Sequence, residues 1–148
     1  MPTPAEDCAR NILDTIPLVM REIRAQMRSH RGLDLSVPQF RALAFIRREP
    51  ESSLSQVAQH VGTALPSMSK LVDGLVERSL VERRPSVADR RRVALSLTPG
   101  GTSLLEAARR ETQTYLEGIL SRLSQEERAT VKKAMAILAR LFTKEEGA

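Results

Sequence analysis

The sequence predicts a mainly α-helical fold that carries one small β-hairpin. Three observations lead there. Apolar residues recur at helical spacing at both ends of the chain and through its middle. The period drops to two only around Val93, Leu95 and Leu97. Ser36 with Gln39, Ser53 with Gln56, and Ser124 with Glu127 read as capping boxes, in which each serine and its third neighbour satisfy the orphan amides of a helix start. With three Phe, one Tyr and no Trp, the core must be aliphatic.

A first helix is expected from about Glu6 to about His30, with Ile12, Leu13, Ile16, Val19, Met20, Ile23 and Met27 in helical register. Pro17 lies inside it and predicts a kink, since its ring clashes with the preceding turn. The stretch RGLDL breaks the chain. A second helix begins at the Ser36 cap, buries Phe40, Leu43, Ala44 and Ile46, and stops before Pro50. A third begins at the Ser53 cap with the stripe Leu54, Val57, Ala58 and Val61, and Gly62 is its natural stop. After the bridge Gly62-Thr63-Ala64 comes a fourth, with Pro66 in its first turn and Met68, Leu71, Val72, Leu75 and Val76 facing inward.

In RRVALSLT, Val93, Leu95 and Leu97 face one way and Ala94 and Ser96 the other, with LVERR as partner strand. The turn PSVADRR joins them, with Pro85, Asp89 and a run of Arg90, Arg91 and Arg92. Thr98 then caps a long helix that opens with Pro99 and extends through Leu104, Leu105, Ala108, Tyr115, Leu116, Ile119, Leu120 and Leu123. A last helix follows Ser124, with Val131, Ala134, Met135, Leu138, Leu141 and Phe142 on its buried side.

The net charge is +5, carried mostly by arginine, which suits bidentate phosphate recognition. Nucleic acid is the first partner this suggests and an anionic membrane the second. The aromatics needed to stack single-stranded bases are almost missing. A lone cysteine, Cys8, excludes an intramolecular disulfide and a Cys-rich metal site, and fits a reducing cytoplasm. The longest apolar run, Ile16 to Met20, is too short to span a membrane, and the opening MPTPAED is unlike a targeting segment. No nucleophile elbow, phosphate loop or metalloprotease box is present, so neither a catalytic residue nor a cofactor is assigned. His30 and His60 stand apart without local ligand partners, so no metal is expected. The pairs Glu126-Glu127 and Glu145-Glu146 read as caps or solvated charge.

Two short amphipathic helices joined by a three-residue bridge, followed by a hairpin with a basic tip, describe a winged helix-turn-helix. The second helix of such a pair enters the major groove of double-stranded DNA, and here its outer N-terminal half offers Ser67, Ser69 and Lys70. The hairpin supplies Arg83, Arg84, Arg90, Arg91 and Arg92 against Glu82 and Asp89, a tip suited to the negative potential of a narrow minor groove. Asp89 is placed to pair with the arginine two positions on and fix its direction.

From Leu54 to Gly101 the chain resembles the MarR family of bacterial transcription regulators: helix, recognition helix, the wing signature Asp89-Arg90-Arg91, then Leu97-Thr98-Pro99-Gly100-Gly101. The resemblance covers about residues 8 to 143. It implies one domain over 1–148, with a DNA-binding lobe at 33–98 and dimerisation helices at 6–31 and 99–144. It further implies a homodimer on a pseudo-palindromic operator, Arg91 in the minor groove oriented by Asp89, and release by a small, often anionic aromatic, effector. A repressor is the reading taken, with an activator left open. The ligand-binding residues stay unassigned; Arg10, Arg21 and Arg24 on the first helix read first as solvated helix surface and second as a place for an anion. Three positions depart from the family pattern. Ala64 replaces a serine-like cap, leaving Thr63 to cap, Gly74 interrupts the recognition helix at about 1 kcal/mol, and Ser79 replaces a glycine. The alternatives are a redox-sensing regulator acting through Cys8, and a winged-helix interaction or architectural module that reads no sequence.

Overall fold

Each of the three Ser-x-x-Gln/Glu boxes opens a helix in the computed structural model, which describes residues 2–30 and 34–143. In all three the serine oxygen accepts from the backbone N–H three residues on, and that residue's side chain accepts the serine's own N–H. The elements are α1 (Ala5–Arg28), α2 (Val37–Arg48), α3 (Leu54–Val61), α4 (Leu65–Glu77), β1 (Val81–Pro85), β2 (Val93–Leu97), α5 (Pro99–Leu120) and α6 (Gln125–Phe142). The expected break at residues 31–33 and the pair Glu145-Glu146 lie outside the described residues. The helix α1 runs from Ala5 to Arg28 with Pro17 inside it, as the sequence predicts.

The chain falls into two compact units, Met1–Thr112 and Gln113–Ala148. The first is built around an aliphatic core of Leu43, Ile46, Val57, Met68, Val72, Leu75, Val81, Leu95 and Leu105, all but removed from solvent. Burying each such side chain stabilises the fold by about 1.5–3 kcal/mol. The helix α2 sits at the centre, packed by α3, α4 and β2. That crowding explains one departure from the expected pattern: Ala42 is fully buried while Ala44 is only half-buried. A helix covered on several sides buries more than one stripe.

The two strands are antiparallel, with Val81 opposite Leu97 and Pro85 opposite Val93. Strict alternation fails in β2. Leu95 lies in the core and Ala94, on the other face, is buried as well, whereas Val93 is 54% exposed. Val93 is the residue farthest toward the hairpin tip, beyond the reach of the core. Midway along β2, Leu95 N–H donates to the Ser52 carbonyl at 2.8 Å, so the hairpin is stitched to the α2–α3 connection.

Gly74 lies where α4 passes α2. A Cβ there would come within 3.2 Å of the Gln39 amide, which is itself held in the α2 capping box.

In the second unit, α5 ends at Leu120 and Leu123 belongs to the following turn. The expected burial along α6 is not found, for no residue of that helix is buried. Val131, Met135 and Leu141 are exposed, and Phe142 is 73% exposed. A unit of two helical segments offers too little surface to cover such a stripe.

Candidate nucleic-acid interface

The turn between α3 and α4 depends on Gly62, whose φ of 79° and ψ of 32° place it in the left-handed region that terminates a helix. The N–H groups of Gly62 and Thr63 both return to the Ala58 carbonyl, at 2.9 and 3.0 Å. Arg41 of α2 donates to the His60 and Val61 carbonyls at 3.3 and 3.2 Å, a cation at the negative end of α3. These bonds set the start of α4 against the lobe.

The cap of α4 differs from expectation. Ala64 takes the cap position with extended geometry and no side chain bonds to the first turn, so Thr63 does not substitute for the missing serine. A helix start whose amides lack a side-chain acceptor remains open to a phosphate oxygen. Met68, Val72 and Leu75 face the core, while Ser67 and Lys70 are exposed and Ser69 is half-buried. The three polar residues named from the sequence therefore share the outer surface of α4.

Seven residues, 86–92, close the hairpin between Pro85 and Val93. Ser86 N–H donates to the Arg92 carbonyl at 2.8 Å, and Arg92 N–H to the Asp89 carbonyl at 3.0 Å. The Asp89 carboxylate accepts the backbone N–H of Arg91 at 3.0 Å and faces Arg92 Nε at 3.8 Å. Asp89 thus orders the backbone at Arg91 and pairs with the guanidinium of Arg92. The expected pairing with the Arg91 guanidinium is not formed, because Asp89 turns back into the tight loop that it caps.

The five arginines are not equivalent. Arg84 pairs with Glu82 at 2.8 Å. Arg83 pairs with Asp73 of α4, a partner that sequence reasoning missed. The available signal was helical spacing, since Asp73 lies three residues after Lys70 and four after Ser69. Arg90 and Arg91 make no ion pair among the described residues, and both are exposed at the tip. Among the described residues, Lys70, Arg90 and Arg91 are cations of this face that make no ion pair.

Both histidines have partners from distant sequence. His30 Nδ1 lies 2.6 Å from a Glu111 carboxylate oxygen on α5. His60 stacks on Phe45 with ring centroids 4.5 Å apart, and Arg48 approaches its Nε2 at 3.3 Å. Since a guanidinium only donates, Nε2 must accept there, which calls for the neutral ring. Partial desolvation, then the charges of Arg48, Arg41 and Arg24, hold the His60 pKa below the ordinary histidine value. Among the described residues no group of three or more His, Cys, Asp or Glu side chains could hold a metal ion. Likewise, no described helix is long and apolar enough to cross a membrane.

A helix pair with a polar outer helix, joined to a hairpin whose free charge is at its tip, defines a winged helix-turn-helix of the DNA-binding class. Residues 33–92 match the model of the MarR family. The chain is 30% identical to the HTH-type transcriptional regulator YfiV of Bacillus subtilis over 108 residues, covering 73% of this chain and 68% of that protein. It is similar in structure to the transcriptional regulator Tm0710 of Thermotoga maritima, with a TM-score of 0.76 and 22% identity over 92% of this chain and 99% of that one. Streptococcus pneumoniae FabT, solved in complex with DNA, has a TM-score of 0.58 and 26% identity over 93% and 94% of the two chains. This chain belongs to the MarR family and is a transcription regulator, not an enzyme.

Proposed function

We propose that the chain acts as a homodimer that reads a pseudo-palindromic duplex and represses transcription until a small anion releases it. The observation that carries the DNA contact is the concentration of unpaired charge at Arg90 and Arg91, on a hairpin beside an α4 surface of Ser67, Ser69 and Lys70. In this reading Ser67, Ser69 and Lys70 meet the major groove and its phosphates, and Arg91 enters the minor groove. Arg83, Arg84 and Arg92, already paired with carboxylates, and Asp89, which caps the tip, shape the wing.

Dimerisation is supported by the apolar side chains that the chain leaves in water. On α1, Leu13 is 74% exposed and Leu18 57%. On α6, Val131, Met135, Ile137, Leu141 and Phe142 are exposed. A second copy covering such stripes removes apolar area from water at about 25 cal/mol per Å². Two-fold symmetry then presents two α4 helices to successive major grooves about 34 Å apart. Release is supported by an open groove of about 400 Å³ along α1, with Ile16, Pro17 and Met20 beside Arg21, Arg24 and Arg28, a match for an apolar body with an acidic group.

Enrichment of random duplexes on the purified chain, with its mass measured by light scattering, tests the reading. It expects a dimer that selects an inverted repeat. A monomer, or a pool that stays random, refutes it. Titrating the bound complex with benzoate-like anions tests release, and undiminished DNA binding at saturating anion rejects that part.

A further inference from the structure

We propose that Asp73 is a charge brake on DNA binding: by engaging Arg83 it prevents that arginine from neutralising a phosphate. The proposal rests on the DNA-binding reading above. The pair joins α4 to β1, across ten residues of sequence. Its side chains are 38% and 54% exposed, and an ion pair so open to water adds little to stability. Asp73 instead lies on the surface of α4 that carries Ser69 and Lys70. A bare carboxylate there would repel the duplex, and a bare arginine would attract every duplex alike, because phosphate contacts carry no sequence information. Pairing makes the spot neutral, so the charge available for phosphates is concentrated at Lys70, Arg90 and Arg91.

The test measures affinity of the full chain for a random-sequence duplex between 50 and 200 mM salt. Each phosphate neutralised adds about 0.9 to the log–log slope, or about a 3.5-fold change in affinity across that range. Asp73→Asn frees Arg83 and is expected to steepen the slope by about that amount while tightening binding at low salt. The double variant Asp73→Asn/Arg83→Gln removes both charges, keeps the spot neutral and is expected to leave the slope at the wild-type value, because Arg83 neutralises no phosphate in the wild type. If Asp73→Asn is folded and its slope matches the wild type, the brake is refuted. A slope shallower by about 0.9 in the double variant refutes it independently, so the idea stays testable even if the first variant fails to fold. Should the wild type bind no duplex at low salt, the DNA-binding reading falls and the brake with it. A wild type that binds, with variants that miss these slopes, overturns the brake alone.

Discussion

Gly101, in the first turn of α5, is pressed so close to the Leu80 carbonyl that any Cβ at that position would overlap its oxygen. Around this contact Thr98 N–H donates to the Leu80 carbonyl at 3.1 Å, and the Thr98 hydroxyl donates to the Ser79 carbonyl at 2.5 Å. The same hydroxyl oxygen accepts the Gly101 N–H at 2.9 Å. The end of α4, the base of the hairpin and the start of α5 thus meet at one joint. Gly101→Ala must displace backbone and is expected to cost about 2–3 kcal/mol in urea unfolding. An unshifted midpoint would contradict the close approach.

Ser79 takes a φ of 60° at the same joint, a left-handed conformation that carries a steric cost for any residue with a Cβ. Its carbonyl, not its side chain, makes the bond to Thr98. Ser79→Gly keeps that bond, removes the strain and is expected to gain about 0.5–1 kcal/mol despite the entropy of glycine. Thermal melting against the wild type decides it, and a lowered Tm counts against the strain.

Helix α4 starts without a side-chain cap, although Ala64 already has the extended geometry of one. Ala64→Ser supplies the acceptor and is expected to stabilise the lobe by about 0.5–1 kcal/mol. Hydrogen exchange in the first turn of α4 should slow in step; unchanged exchange would mean that the amides were satisfied otherwise.

His60 carries a pH dependence of known sign. Its folded pKa lies below the unfolded value, through desolvation first and then Arg48, Arg41 and Arg24. The unfolded chain therefore binds the proton more readily, and this group's contribution is whole above about 6.5. It declines as pH falls through that value and levels off once the folded form is protonated too. His60→Asn should flatten the fall in Tm between pH 7.5 and 5. A variant whose Tm falls as steeply as the wild type would assign the loss to other groups.

Among the described residues Arg91 makes no ion pair, whereas Arg84 is paired with Glu82. Arg91→Ala is expected to weaken duplex binding and make its salt slope shallower by about 0.9, with Tm unchanged. Arg84→Ala should change the slope much less. Equal effects from the two would show that internal pairing does not sort the arginines of the wing.

Much of the lobe was legible because its signals are local. A serine and the residue three positions on settle a helix start by themselves, and Gly62 or Pro66 works within one turn. The reading failed where packing from distant elements intervened. Ala42 is buried because three elements close on α2, and Ala94 and Val93 exchange their expected exposure because the core ends between them. The α6 stripe is apolar as read, but one chain does not cover it.

For the interface, sequence alone determined the polar residues of α4, the basic hairpin and the excess of arginine, since residue type and short-range period suffice for those. Only the tertiary structure decided which arginines carry free charge. Asp73 reaches Arg83 from another element, Asp89 turns to Arg92 rather than the Arg91 guanidinium, and Arg90 and Arg91 are left open. Ion pairing falls off with distance in space, and no spacing along the chain states which side chains folding will bring within 4 Å.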